Sequence, residues 1–231
     1  VEDRFAGQGE SLSARKGNVV LCDFDGTITV QDTAEWILEK YADGNWHELE
    51  DRYGRGEISL LACMREQFAL VKAERSAILD ELEKNIVLRK GFPSLVDVCI
   101  ENDTKVMIVS AGLDFVIQHF LRILGVVNNV SIYSASTYDD DGHISFKFPP
   151  LVIPGANTFK DDLVLQNKKK GNKVTYFGDG MPDTEACALS DHRFAVKGRR
   201  LESELIKRKL PFFSFEQFLE VIPTLESILN K

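Results

Sequence analysis

The chain has 231 residues, 44% of them hydrophobic, and a formal net charge of −8. That apolar share supports a packed core and excludes global disorder, while the acidic balance argues against nucleic acid as a partner. The length suits one domain of usual size plus a smaller one, and no apolar run approaches the roughly eighteen residues a membrane span needs.

Residues 1–16 are polar and glycine-containing and read as a flexible tail without a secretory leader pattern. A strand is predicted at 18–23, where Val19-Val20-Leu21-Cys22 runs into Asp23-Phe24-Asp25-Gly26-Thr27. Apolar runs of this kind suit a buried parallel strand, and ligands of open α/β sheets sit beyond the carboxyl ends of such strands. Two carboxylates one residue apart can divide labour: one binds a hard cation or attacks as a nucleophile, the other carries protons. An Asx-turn with both aspartates solvated is the plainer alternative.

Helical periodicity follows in Ala34–Tyr41, Ser59–Val71 and Ala73–Lys84, with Gly44, Gly54 and Gly56 marking loops. A βαβ crossover needs only about a dozen residues, so residues 31–90 read as an inserted all-helical cap over the end of the first strand. The core then comprises 17–30 and 91–231.

Past Gly91, a helix at about 93–102 leads to a strand at Lys105–Ser110, followed by Ala111 and Gly112. A serine hydroxyl with unobstructed backbone N–H groups can cradle a phosphate. Leu113–Leu124 is helical and stops at Gly125, and Val130–Tyr138 and His143–Phe148 flank a hairpin signal at Asp139–Gly142. A helix from Thr158 carries Lys160 in its first turn. The strand Lys173–Gly178 ends in Asp179, Gly180 and Asp183, with Pro182 fitting a helix start. A helix at 183–190, a strand at 193–196 and two closing helices complete an α/β fold with a doubly wound, mostly parallel, Rossmann-like sheet.

Asp23-Phe24-Asp25-Gly26-Thr27, Ser110, Lys160 and Gly178-Asp179-Gly180 with Asp183 match four motifs. Over roughly residues 18–200 the chain thereby resembles the haloacid dehalogenase superfamily of phosphohydrolases. It is most similar to the phosphoserine phosphatase-like branch, and there to the methylthiopentenyl phosphate phosphatases of methionine salvage. Asp32 and the nineteen-residue step from Lys160 to Asp179 are points of likeness. The cysteine-rich stretch those phosphatases carry before the lysine is replaced here by Phe148–Thr158, so their substrate is not carried over.

The resemblance implies a Mg²⁺-dependent phosphatase acting on a small phosphate ester. Asp23 would be nucleophile and metal ligand. Asp25 would be the acid–base, its backbone carbonyl on the metal, and Asp179 a further ligand, with Asp183 orienting the metal shell. Ser110, Ala111, Gly112 and Lys160 would hold the phosphate. Thr27 and Thr29 either join them or only satisfy turn backbone. Asp32 either lies near the substrate or only caps a helix, and Arg65 either meets a substrate carboxylate or is an exposed helix arginine. The same aspartyl-phosphate chemistry serves a phosphotransferase or mutase, and a silent binding module is the non-enzymatic rival.

His47, His119, His143 and His192 lack paired metal-ligand spacing. Cys22, Cys63, Cys99 and Cys187 lack CxxC spacing and sit among apolar neighbours, which predicts reduced core thiols and a cytoplasmic setting; a monomer or homodimer is the expected state.

Overall fold

The computed structural model describes residues 17–140 and 143–230. The expected tail at 1–16 lies outside them, as do Asp141 and Gly142 of the hairpin turn. Among the described residues seven strands form one sheet: β1 (Asn18–Cys22), β2 (Lys105–Leu113), β3 (Ser131–Asp140), β4 (His143–Lys147), β5 (Lys173–Gly178), β6 (His192–Val196) and β7 (Phe213–Phe215). Their spatial order is β4-β3-β2-β1-β5-β6-β7. Only β3 and β4 pair antiparallel; the other neighbours are parallel, as expected for a doubly wound α/β sheet.

β1 is central because both of its faces are apolar. Val20 and Cys22 enter one core cluster, and Val19 and Leu21 the other, on the opposite face of the pleat. Its register brings the motifs together. Cys22 lies beside Ile108 of β2 and Phe177 of β5, so Asp23, Ser110 and Gly178 emerge at the same edge. Strand order reverses at β1, the crevice where α/β sheets place their ligands.

Four helices separate β1 from the rest of the core: α1 (Thr33–Tyr41), α2 (Trp46–Gly54), α3 (Leu60–Phe68) and α4 (Arg75–Asn85). The sequence pattern showed three; α2 escapes it because only Trp46 of its nine residues is buried, which leaves no apolar stripe. The insert packs on the core: Ile37, Leu38, Met64, Phe68, Ile78 and Leu82 share a cluster with Phe24, Ile108 and Phe120, and Phe68 meets Phe146 of β4 edge-on at 5.2 Å. Its two connecting segments run antiparallel. Val30 N–H donates to Val87 O at 2.8 Å, Arg89 N–H donates to Ile28 O at 2.9 Å, and Thr29 bridges Leu88.

The remaining helices are α5 (Phe92–Glu101), α6 (Asp114–Ile123), α7 (Phe159–Lys169), α8 (Thr184–Leu189), α9 (Arg200–Lys207) and α10 (Ile222–Leu229). β7 was not expected: it is three residues at the sheet edge, just after Pro211, too short for alternation to register. No described helix is long and apolar enough to cross a membrane. All four cysteines are free and buried, as expected of core thiols.

Candidate active site

Three strand ends build the site. Asp23 follows β1 and is tied to β5 by its N–H, which donates to Phe177 O at 2.9 Å. Asp179 and Asp183 follow β5, Asp183 closing a 3-10 turn, Met181–Asp183. Lys160 comes from the first turn of α7. That turn is fixed by a capping box between Thr158 and Asp161. The buried Asp162 carboxylate reinforces it by accepting from Val152 N at 3.0 Å and Ile153 N at 2.5 Å.

The Lys160 ammonium, 4% exposed, donates to Asp23 Oδ1 at 2.8 Å and Asp183 Oδ1 at 2.7 Å. Burial opposes its charge, yet Asp183 and Asp23 outweigh burial and hold its pKa above the usual lysine value. Asp183 is fully engaged. Its Oδ1 also accepts from Tyr176 Oη at 2.8 Å, and its Oδ2 accepts from the N–H groups of Asp179 at 3.1 Å and Gly180 at 3.0 Å. Asp183 therefore organises the loop and the lysine. Asp23 Oδ2 and the Asp179 carboxylate accept no hydrogen bond among the described residues.

Asp25 points elsewhere. Its Oδ1 accepts from the N–H of Thr33 at 2.8 Å and the Thr33 hydroxyl at 2.6 Å, at the start of α1. Burial and then the Asp32 charge push its carboxyl up to about 7, although Thr33 pulls the other way. Such an acid still holds a proton near neutrality.

Three glycines make room for these carboxylates. An added Cβ would lie 2.2 Å from Asp179 Oδ2 at Gly26, 2.3 Å from Asp25 Oδ2 at Gly112, and 2.7 Å from Asp183 Cγ at Gly178. Gly112 belongs to an irregular end of β2, where register shifts between Ser110 and Leu113. There the Ser110 hydroxyl accepts from Gly112 N–H at 3.0 Å, so Ser110, Ala111 and Gly112 form one tight turn beside Asp25.

The other expected residues fall as follows. Thr29 satisfies turn backbone, accepting from Gly26 N–H at 3.2 Å and donating to Gln31 O at 2.7 Å. Thr27 Oγ1 is buried without a partner. Asp32 is exposed and caps α1 by accepting from Glu35 N at 2.9 Å. Arg65 is exposed on α3. Two contributors were missed. Tyr176 reads as one more apolar position of a buried strand, and Thr33 as an alternative to Asp32 for capping the first helix, a role that falls to Asp32.

The donor set fits a hard divalent cation. Carboxylate oxygens of Asp23, Asp179 and Asp183 lie within 4.8 Å of one another. Three carboxylates face one lysine, and each like-charge pair at 4 Å costs about 4 kcal/mol at an effective dielectric near 20. Burial and this crowding both disfavour the ionised carboxylates. Burial and then Asp183 push Asp23 well up, and the same two causes push Asp179 up to about 6. An all-oxygen, acid-rich cluster of this kind suits a hard divalent cation rather than a soft metal.

The sequence pattern of the haloacid dehalogenase-like hydrolases matches residues 20–187. The chain belongs to that family. Pdp3-interacting factor 1 of Schizosaccharomyces pombe is 27% identical over 233 residues, covering 94% of this chain and 98% of that protein. A 2-hydroxy-3-keto-5-methylthiopentenyl-1-phosphate phosphatase of Bacillus pumilus is 28% identical over 185 residues, covering 78% of this chain and 79% of its own. The expected likeness to that group of phosphatases is thus borne out. Among solved structures, a haloacid dehalogenase family hydrolase of Salmonella enterica serovar Typhi aligns with a TM-score of 0.68 at 16% identity, covering 90% of this chain and 70% of that one. A phosphoserine phosphatase, solved as a phospho-aspartyl intermediate analogue, aligns with a TM-score of 0.65 at 17% identity, covering 91% and 99%. At those identities the solved structures establish the shared fold.

Proposed function

We propose that this hydrolase is a Mg²⁺-dependent phosphatase that removes phosphate from a small phosphorylated metabolite through an aspartyl-phosphate on Asp23. The observation that carries this reading is the convergence of Asp23, Lys160, Asp179 and Asp183 at the switch point, with Asp25 turned toward Thr33. The Bacillus pumilus relative, named a phosphatase of a phosphorylated methylthiopentenyl compound, supports the reaction class.

In this reading Asp23 Oδ2 attacks phosphorus while Oδ1 stays on Lys160. Asp23, Asp179 and the Asp25 backbone carbonyl would hold a divalent cation, which would supply positive charge against the phosphoryl oxygens. Lys160, the Ser110 hydroxyl and the Ala111 and Gly112 amides take up the charge that develops on those oxygens. Asp25 gives its proton to the departing alcohol and then, as a carboxylate, takes one from the water that opens the aspartyl-phosphate. Asp183 holds Lys160 and the Asp179 loop in place. Thr27, with its unpartnered hydroxyl, and Asp32, at the mouth, complete the surroundings of the substrate.

We assign residues 17–30 and 91–231 to the catalytic core and 31–90 to a helical cap over the site. The free, buried cysteines suit a cytoplasmic setting, and we take the protein to act as a monomer or homodimer. The test is a panel of phosphorylated metabolites plus an aryl phosphate, with Mg²⁺. Release of inorganic phosphate that Asp23→Asn abolishes supports the reading, and no release from any member overturns it.

A further inference from the structure

Arg89 lies where the helical insert returns to the core, and no step above uses it. It is 7% exposed and makes no ion pair within contact distance among the described residues; Asp179 and Glu216 attract its charge only from farther off, while burial and Arg199 oppose it. Burying a charge without an ion partner in contact costs several kcal/mol. The compensation here is two backbone carbonyls. One guanidinium nitrogen, Nη1, donates to Glu216 O at 2.8 Å, and Nη2 donates to Gly26 O at 3.2 Å. Nε is buried and unpartnered. A methionine of similar length would fill this space without the desolvation cost, so the charge needs a reason.

Gly26 supplies one. It sits in the left-handed region, φ +74°, with its Cα against the Asp179 carboxylate. Its N–H donates to Thr29 Oγ1 and its carbonyl accepts from Arg89. A peptide unit is planar, with N–H and C=O pointing opposite ways. The Thr29 contact therefore fixes the direction of the Asp25 carbonyl, and the Arg89 contact fixes the next peptide plane. Arg89 also grips the hinge with its own backbone, donating to Ile28 O. One residue thus binds the turn that follows Asp25, the hinge of the insert and the segment after β7.

We propose that Arg89 is a positioning residue of the catalytic turn: by holding the Gly26 carbonyl it seats Asp25 and Gly26 against Asp179 and ties that turn to the segment by which the insert returns to the core. This rests on the reading of Asp23 and Asp25 as the reacting pair. A lysine cannot take its place, because an ammonium lacks the planar fork that reaches two fixed carbonyls at once. Thr29 is the second hold on the same glycine.

The test uses the full chain and its Arg89→Met, Arg89→Lys, Arg89→Ala and Thr29→Val variants. Amide hydrogen exchange is followed at residues 24–30 and at 174–178, and turnover of an aryl phosphate is measured with Mg²⁺. Arg89→Met is expected to speed exchange at Gly26–Thr29 while β5 keeps its protection. It is expected to lower kcat more than about tenfold with KM changed less than about threefold. Guanidinium ion added to Arg89→Ala restores several-fold of the lost kcat, which ethylammonium does not. Arg89→Lys behaves like Arg89→Met, and Thr29→Val, which leaves the arginine in place, shows the same kcat-selective loss. Retention of kcat within about twofold in Arg89→Met, or unchanged exchange at Gly26–Thr29, overturns the inference while the phosphatase reading stands. A parent protein that releases no phosphate overturns that reading, and the exchange data then still decide whether Arg89 holds the turn.

Discussion

Gly26 and Asp179 are in direct backbone-to-carboxylate contact: a Cβ at residue 26 would stand 2.2 Å from Asp179 Oδ2. The turn after the first two aspartates and the loop after β5 are thus fitted to each other through a missing side chain. Gly26→Ala meets two penalties. The left-handed backbone costs an alanine about 1–2 kcal/mol, and the methyl displaces a carboxylate of the cation cluster. The expected outcome is loss of more than about a hundredfold in kcat/KM, which corresponds to roughly 2.7 kcal/mol at the transition state. Steady-state kinetics beside circular dichroism checks it. A folded Gly26→Ala protein with near-parental activity would show that Asp179 need not sit there.

The second prediction concerns the shared lysine. Lys160 offsets Asp23 and Asp183 in a buried setting, and removing one partner of such a network costs about 3–5 kcal/mol. For a chain of this size that is a fall in Tm of about 6–20 °C. Lys160→Met should show that fall, measured by calorimetry. Lys160→Met with Asp183→Asn should lose less than the sum of the single changes, because the pair shares the stranded charge. Strict additivity would deny the coupling.

Much of this site was legible in sequence because its residues follow apolar strands, and strand ends are where side chains of an α/β sheet meet. Asp23, Asp179 and Asp183 converge as their positions implied, and Lys160 joins them. Less legible were contacts made across the fold. Tyr176 looks like one of five consecutive buried positions in β5, and only the structure shows its hydroxyl on Asp183. Thr33 holds Asp25 from the insert, and Arg89 holds Gly26 from its far end, 63 residues away. Hydrogen bonds of that reach leave no periodic trace. α2 and β7 escaped for a different reason: one buries only Trp46 of its nine residues and the other is three residues long, so neither has a pattern to read.

Proton transfer gives the third prediction. Asp25→Asn keeps the Thr33 contacts sterically possible but removes the proton carrier. An alkyl phosphate, whose alcohol must be protonated on departure, should lose about 10²–10⁴ in rate. An aryl phosphate with a good leaving group should lose less in the first step. Single-turnover kinetics on the two esters checks this, and equal losses would assign the proton to another group.

Metal exchange is the fourth. Chelation should abolish phosphate release and Mg²⁺ restore it. Ca²⁺ should bind, because the donors are all oxygens, yet support little turnover, since its larger and more variable shell relaxes the geometry that aligns Asp23 with phosphorus. Binding measured by calorimetry and rate measured in parallel separate the two effects. Full activity in chelator would remove the cation from the reaction.

The last prediction is size selection. The insert leaves the core only a few residues after Asp25, and its first helical residue, Thr33, bonds the Asp25 carboxylate directly. It is also anchored at its far side: Phe68 packs on Phe146, and His119 of α6 lies 3.1 Å from Glu83 of α4. On the proposed reading of the insert as a cap, a helical layer anchored at both ends would exclude water, add contacts to the leaving group and obstruct a polymer. Phosphorylated small molecules should therefore be turned over far faster than a folded phosphoprotein or a nucleic-acid end. Substitutions at the mouth, with Asp32→Asn first, should change the ranking of metabolites while a generic aryl phosphate is spared. Arg65→Met, at an exposed position on α3, should change that ranking less than Asp32→Asn. Comparing kcat/KM across the panel and one phosphoprotein checks this, and equal values for the phosphoprotein and the best metabolite would show that the insert does not enclose the site.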